Sequence, residues 1–127
     1  NEPFQRFKLL AIVIKRIRIL KSSNLIYSYV LQKDFKKLKL PFSANDGVIE
    51  MLRSASEAQV AALFKQVGKN YYKVSLRSSN SDYSVADIAS YFGGGGHKLA
   101  VAYSAEGPLK SVIANLIKRL NLINNSN

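Results

Sequence analysis

The sequence contains no cysteine and no tryptophan, and it has one histidine, His97, three prolines and eight acidic residues among 127. Without cysteine there is no disulfide, no thiolate nucleophile and no cysteine-bound zinc, and a cytoplasmic setting is the expectation that this permits. Hydrolysis of phosphate esters by two metal ions needs several carboxylate and imidazole ligands holding the ions about 3.5 to 4 Å apart. A single histidine with the dispersed acids Asp46, Glu50, Asp82, Asp87 and Glu106 does not supply that set. Those acids suit helix caps and surface, so no catalytic residue and no metal ligand is expected in this chain. A Ser-His-Asp arrangement is formally available, but no glycine-serine elbow precedes a helix. The longest apolar run is Leu9 to Ile14, far below the roughly 20 residues that span a bilayer. The chain opens on Asn1, and neither a small-residue cleavage site nor a long apolar leader region is visible; a piece of a longer protein is the expectation.

Positive charge is what the chain has in excess. The formal net charge is +11, of which residues 1–40 carry +8 and residues 41–127 the remaining +3. A potential of this sign favours polyanions, whether nucleic acid, nucleotides or an anionic membrane surface. The apolar fraction of 47% belongs to a globular chain rather than a disordered one. The length suits one domain around one core.

The densest local signal is Tyr91-Phe92-Gly93-Gly94-Gly95-Gly96-His97, which holds four of the seven glycines and the lone histidine. Glycine loses more conformational freedom on folding than any other residue, so a run of four needs a compensating role. Glycines allow positive φ and close approach of backbone N–H groups to a ligand, and successive amides can form an anion-attracting nest. An imidazole at the end adds a donor or a cation. The expectation is a phosphate-binding loop, with a plain turn closed by a surface histidine as the bland alternative. Gly93 also stands where a helix wants its left-handed terminal residue.

Along the chain, Pro3 to Leu20 reads as a basic amphipathic helix presenting Phe4, Phe7, Leu10, Ala11, Ile14, Ile17 and Arg18 on one face. It reads as a linker helix, residues 1–22, from a missing N-terminal domain. Leu25 to Leu31 reads as a strand, and Asp34 to Leu40 as a short segment with Phe35 and Leu38 inward. Ser43 to Arg53 reads as a helix capped by Asn45 or Asp46. Residues 58–67 and 71–77 make a hairpin around Gly68-Lys69-Asn70, with Tyr72, Val74 and Leu76 alternating against Tyr71, Lys73, Ser75 and Arg77. Residues 78–82 are a polar loop. Ser84 and Asp87 suggest a capping box for the next helix, Lys98 to Tyr103 a strand, and Gly107-Pro108 the start of a last helix that frays from Asn121. Strands interleaved with helices give a single α/β domain, residues 23–121, with a mixed sheet of about four to five strands and residues 122–127 as a frayed end.

From about Leu25 to Leu120 this order resembles the C-terminal, DHH-associated domain of DHH-family phosphoesterases, most like the bifunctional oligoribonuclease and pAp phosphatase group. The residues that carry the resemblance are Lys73-Val74-Ser75-Leu76-Arg77-Ser78, then Val85-Ala86-Asp87-Ile88-Ala89 leading into Phe92 to Lys98 and Ala100. A serine-leucine-arginine-serine strand end followed, after a helix, by a glycine-histidine loop is a specific pairing. One departure is that Ala100 is followed by Val101 and Ala102, where the family usually continues with two small residues and a glycine.

The resemblance implies a division of labour. An N-terminal domain of the parent would bind two manganese ions, while this domain would hold short single-stranded RNA or a nucleotide across a cleft. By position, the amides of Gly93, Gly94, Gly95 and Gly96 and the ring of His97 would contact phosphate, with Arg77 and Ser78 reaching the same nucleotides. Lys98 and Ser75 are weaker candidates of the same kind. Partners would be the short RNA or nucleotide phosphates, the parent's own N-terminal domain, and a second copy of the parent in a homodimer. Short RNA, single-stranded DNA, pAp and a cyclic dinucleotide all remain open as substrates.

The residues support phosphate binding independently, because a guanidinium matches phosphate bidentately and strand ends are where an α/β sheet presents a site. A KH-type RNA binder and a mononucleotide P-loop both place their glycines in a different order relative to helices. A membrane-surface or adaptor module driven by the basic first helix is the reading from another class. Tyr71, Tyr83 and Tyr91 are positioned in sequence to stack on bases, although tyrosine beside a sheet more often packs with a wet tip.

Overall fold

Strands β2 (Leu25–Val30) and β3 (Val60–Gly68) bury side chains on both faces, whereas β4 (Tyr71–Ser78) and β6 (Ala100–Glu106) do so on one only. That difference organises the computed structural model, which describes residues 4–80 and 84–125. Two three-residue edge strands, β1 (Arg18–Leu20) and β5 (Gly95–His97), complete a mixed sheet in the order β1-β2-β3-β4-β6-β5. β2 and β3 are parallel and every other pair is antiparallel. The sheet therefore has six strands rather than four or five, and the added ones are too short to show a period in the sequence.

Helices cover the two faces unequally. On one face lie α4 (Ala86–Tyr91) and α5 (Leu109–Asn125), which close over Leu25, Phe64, Val74, Leu76 and Val101 with Ile88, Leu116 and Leu120. This core extends across β2, β3, β4 and β6. A second core on the other face joins α1 (Phe4–Lys15), α2 (Gln32–Leu38) and α3 (Val48–Arg53) to Ile26, Val30, Ala61 and Leu63 of β2 and β3. A parallel pair needs a crossover connection, and the one between β2 and β3 carries α2 and α3 onto this face. α3 reaches along the near side of β4, but among the described residues no helix covers β6 and β5 there. Half of one sheet face is bare.

Several local expectations are corrected. The first helix stops at Lys15, because residues 18–20 pair with β2, Arg18 opposite Tyr27. Its buried residues are Leu9 and Val13, and Phe4, Phe7 and Ile14 of the expected face are exposed. Of residues 1–22, expected to lead from a further domain, α1 and β1 both pack onto this one. Arg16 fastens α1 to α2 through two hydrogen bonds to Asp34, at 2.7 and 3.0 Å. Its guanidinium also lies over the Tyr29 ring. The helix expected from Ser43 splits into a 3-10 turn at Phe42–Asn45 and α3, and the residue before α3 is Gly47 at φ +88°, so neither Asn45 nor Asp46 caps it. Ser84 accepts a hydrogen bond from the Ala86 N–H, but no capping box with Asp87 forms. Lys98 and Leu99 make a turn ahead of β6. α5 stays helical to Asn125 instead of fraying from Asn121. Asp82 and Tyr83 lie outside the described residues.

Candidate functional site

The bare half-face is a grid of residues fixed by strand register. Directly opposed residues of antiparallel neighbours point to the same side. Arg77 is opposite Ala100, and Ala100 is opposite His97, so Arg77, Ala100 and His97 stand abreast on β4, β6 and β5. The next row on this face is Ser75, Ala102 and Gly95, and the one beyond begins with Lys73 and Ser104. Arg77 and His97 are two strand spacings apart, about 10 Å between backbones. Between them only methyl groups and a glycine stand above the sheet. The result is a shallow trough with an alanine floor, a guanidinium on one side and an exposed imidazole on the other.

Arg77 is held from the side by α3. Its Nε donates to Glu50 Oε1 at 2.8 Å and its Nη1 to the Leu76 carbonyl at 3.0 Å. The other oxygen of Glu50 takes Arg53 Nε at 3.2 Å. Because the Glu50 side chain is about half exposed, at 47%, these pairs stabilise the fold little, about 0–1 kcal/mol each. Their consequence is orientation, since the guanidinium is pinned through Nε and Nη1 with Nη2 outside both bonds.

The glycine run divides into three separate devices rather than one loop. Gly93, at φ +83°, ends α4: the Gly93 N–H donates to the Ser90 carbonyl and the Gly94 N–H to the Ala89 carbonyl, at 3.0 and 2.8 Å. That double closure is a Schellman motif, so Gly93 is a helix cap. Gly94 lies so close to β6 that a Cβ there would be 2.5 Å from Tyr103 Cβ and nearer still to the Ala102 carbonyl oxygen. Gly95, Gly96 and His97 are the edge strand β5, with Gly96 opposite Val101 and at φ +142°. A Cβ at Gly96 would be 2.8 Å from Val101 Cα. The departure at Val101 is thus accommodated: its side chain turns into the first core, and the strand beside it has no side chain to meet. A four-residue amide nest is not formed. What β5 offers a ligand is the unpaired outer edge of a strand, together with His97.

The remaining candidates separate by face. Ser75 stands between Lys73 and Arg77 on the bare side, half-buried. Ser78 is fully buried on the opposite side, its hydroxyl donating to the Asn80 carbonyl at 2.9 Å and accepting from the Asn80 N–H. It closes the turn after β4 and does not reach the trough, which corrects its expected role. Lys98 is exposed in the turn following His97. Tyr71 sits at the far end of β4 on the bare side, whereas Tyr91 lies beneath the Arg119 guanidinium of α5, 3.8 Å from its ring centre. Strand alternation places Lys73 in line with Ser75 and Arg77, and Lys65 of β3 stands opposite it.

The trough can hold an anion. It has no hydroxyl activated by a base, and among the described residues no group of three His, Cys, Asp or Glu side chains is placed to hold a metal ion. Glu50, the nearest carboxylate to Arg77, is engaged by two guanidiniums. The described residues do not fit a manganese centre.

The fold is shared with proteins of known structure. The fold matches an exopolyphosphatase-related protein from Bacteroides fragilis with a TM-score of 0.84 at 17% identity, over 97% of this chain and 37% of that one. It matches a pGpG-specific phosphodiesterase, PggH, from Vibrio cholerae with a TM-score of 0.62 at 16% identity, over 93% of this chain and 40% of that one. The C-Ala domain of alanyl-tRNA synthetase from Aquifex aeolicus matches with a TM-score of 0.56 at 15% identity, over 76% of this chain and 90% of that one. The chain thus spans well under half of the first two proteins. A family model described as the DHHA1 domain matches residues 22–125, which takes in β2 to β6 and every helix but α1. As that match takes in most of the chain, the chain belongs to the DHHA1 domain family.

Proposed function

We propose that the bare face of β4, β6 and β5 grips the phosphates of a short single-stranded RNA or a nucleotide, and that bond cleavage, with its manganese ions, belongs to a part of a DHH-family parent outside this chain. The observation that carries the reading is the common row of Arg77, Ala100 and His97, which sets a guanidinium and an imidazole on either side of a floor low enough to admit a sugar-phosphate backbone. A guanidinium binds phosphate with charge-assisted hydrogen bonds. The edge of β5 supplies backbone donors that bring no charged side chain to desolvate. The net charge of +11 draws polyanions to the surface at long range. A parent acting on phosphodiesters is in keeping with the pGpG specificity of the Vibrio cholerae neighbour, and a cytoplasmic location with the absence of cysteine.

Binding of a fluorescent tri-adenylate to the chain, followed by anisotropy across a salt series, tests this. Affinity should fall as salt rises. Arg77→Ala and His97→Ala should each weaken binding about tenfold, the equivalent of ~1.4 kcal/mol. Ser78→Ala, on the far side of the sheet, serves as the comparison. Equal affinities for wild type, Arg77→Ala and His97→Ala would refute the assignment.

A further inference from the structure

Helix α1 has two apolar sides. Leu9 and Val13 enter the second core, while Phe4, Phe7, Ala11 and Ile14, at spacings of three, four and three, run along the opposite side and are exposed. At 3.6 residues per turn these four fall within a sector of about 80° and form a stripe about 15 Å long. Phe4 is 69% exposed, Phe7 58% and Ile14 47%. A helix that only closes a core needs one apolar side and a polar one, so the outward stripe is surplus to the fold. Exposed Ile19 of β1 adds to it, since it stands opposite Ile26 and so on the same side of the sheet as α1.

Charge follows the same stretch. From Phe4 to Lys33 there are seven lysines and arginines and no acid. Arg16 is engaged by Asp34, and Arg6 donates to the carbonyls of Ala44 and Asp46. Lys8 and Lys15 are exposed along one edge of the stripe and make no ion pair among the described residues. The Lys8 ammonium lies 5.5 Å from the centre of the Phe4 ring. Single-stranded RNA engages cations and aromatic rings, but the half of the stripe formed by Ala11 and Ile14 presents only aliphatic groups. An anionic bilayer meets both features, because its acyl chains take up apolar side chains and its headgroups attract the flanking ammoniums. No helix among the described residues is long and apolar enough to cross a bilayer.

We propose that the outward side of α1 docks the domain on a bilayer rich in anionic phospholipid, with Phe4, Phe7 and Ile14 at the boundary between headgroups and acyl chains and Lys8 and Lys15 against the lipid phosphates. The contact is peripheral. It shares no residue with the trough, and it stands or falls separately from the reading of that face.

Flotation of the chain with vesicles of phosphatidylcholine alone, and of phosphatidylcholine mixed with an equal part of phosphatidylglycerol, tests this. The mixed vesicles should bind wild type about tenfold more tightly than the neutral ones, and salt should reduce that preference. The double variant Phe4→Ser with Phe7→Ser should weaken binding to mixed vesicles about tenfold. Both side chains are exposed, so the fold is kept, which thermal unfolding verifies. Lys8→Gln with Lys15→Gln should narrow the preference for mixed over neutral vesicles, whereas Arg77→Ala should leave vesicle binding unchanged. Absence of binding to the mixed vesicles overturns the proposal. So does binding that survives loss of both phenylalanines, which any basic surface would give. Sedimentation without lipid covers the other occupant: a dimer that the phenylalanine variant dissociates, in a chain that ignores vesicles, assigns the stripe to a second copy. Tri-adenylate binding lost in that variant while vesicle binding is kept assigns it to RNA, and either result overturns the lipid contact.

Discussion

Alanine placed at each of the four consecutive glycines should give four different outcomes, because the structure gives each glycine a different reason to be there. At Gly95 nothing lies within 4 Å of a new Cβ and the backbone is not in the left-handed region. Gly95→Ala should therefore change stability by less than about 0.5 kcal/mol, as surface substitutions do. At Gly93 there is also space, but φ is +83°, so alanine should cost about 1–2 kcal/mol of left-handed strain. At Gly94 the new atom meets the Ala102 carbonyl oxygen, Tyr103 Cβ at 2.5 Å and Tyr103 Cα at 2.7 Å, all belonging to the central part of β6. The backbone of a paired strand cannot give way as a side-chain tip does, so the cost should reach or exceed the ~3 kcal/mol upper range of overpacking. Gly96→Ala should be of similar size, since its Cβ would be 2.5 Å from the Ala100 carbonyl oxygen and φ is +142°. Urea unfolding of the four variants, at unchanged slope, reads these differences directly. A flexible four-glycine loop predicts instead four similar and small effects. Equal stabilities for Gly94→Ala and Gly95→Ala would refute the packing of this run against β6.

Other perturbations probe the frame and the trough. Asp34→Asn leaves Arg16 beneath α1 without its carboxylate, and should cost about 2–4 kcal/mol, discounted from the value for a fully buried pair because the arginine is partly exposed; thermal unfolding beside Arg16→Met measures it. For Asp34 itself, burial pushes the carboxyl pKa up, but the Arg16 hydrogen bonds, the Leu31 N–H and the neighbouring cations outweigh it and hold the pKa below 3.8. A depressed folded-state pKa adds stability that is complete above the unfolded value and disappears as pH falls through the folded one. Acid unfolding of wild type should then be steeper below pH ~4 than that of Asp34→Asn, and parallel curves would contradict it. Glu50→Gln releases Arg77 from its carboxylate partner and should tighten tri-adenylate binding severalfold if Glu50 competes for the guanidinium; weaker binding would show that orientation by Glu50 matters more.

What the sequence disclosed, and what it concealed, follows from the range of the interactions involved. The alternation in β4 declared its buried side through Tyr72, Val74 and Leu76, and α5 declared its stripe through Val112, Leu116 and Leu120, because each element faces one environment along its length. β2 and β3 were harder, as strands covered on both sides lose their period; Ala61 and Leu63 go into one core while Ala62 and Phe64 go into the other. The buried face of α1 is hidden in the sequence for a related reason. Its apolar residues encircle more than one side, and only tertiary contact selects Leu9 and Val13 over Phe7 and Ile14. Arg77 and His97 could be named from their local motifs. Their placement in one row, and the loss of Ser78 to the other face, depended on the β4, β6 and β5 register, a long-range property set by how Gly94 and Gly96 seat against β6.

The unequal covering of the sheet also explains how a domain of this size can carry a site without weakening itself. β4 and β6 bury Tyr72, Val74, Leu76, Val101 and Tyr103 on the helix-covered side, and these side chains hold both strands in the sheet. Lys73, Ser75, Arg77, Ala100 and Ala102 project from the same backbone in the opposite direction and take no part in either core. The fold and the proposed recognition surface thus use alternate residues of the same two strands. Truncating Leu76 should cost about 2–5 kcal/mol through the cavity it leaves, while its neighbour Arg77, bonded to a half-exposed glutamate, should cost at most about 1 kcal/mol. Substitutions one residue apart along β4 should therefore separate stability from the proposed binding, because the bare face can change while the sheet beneath it stays the same.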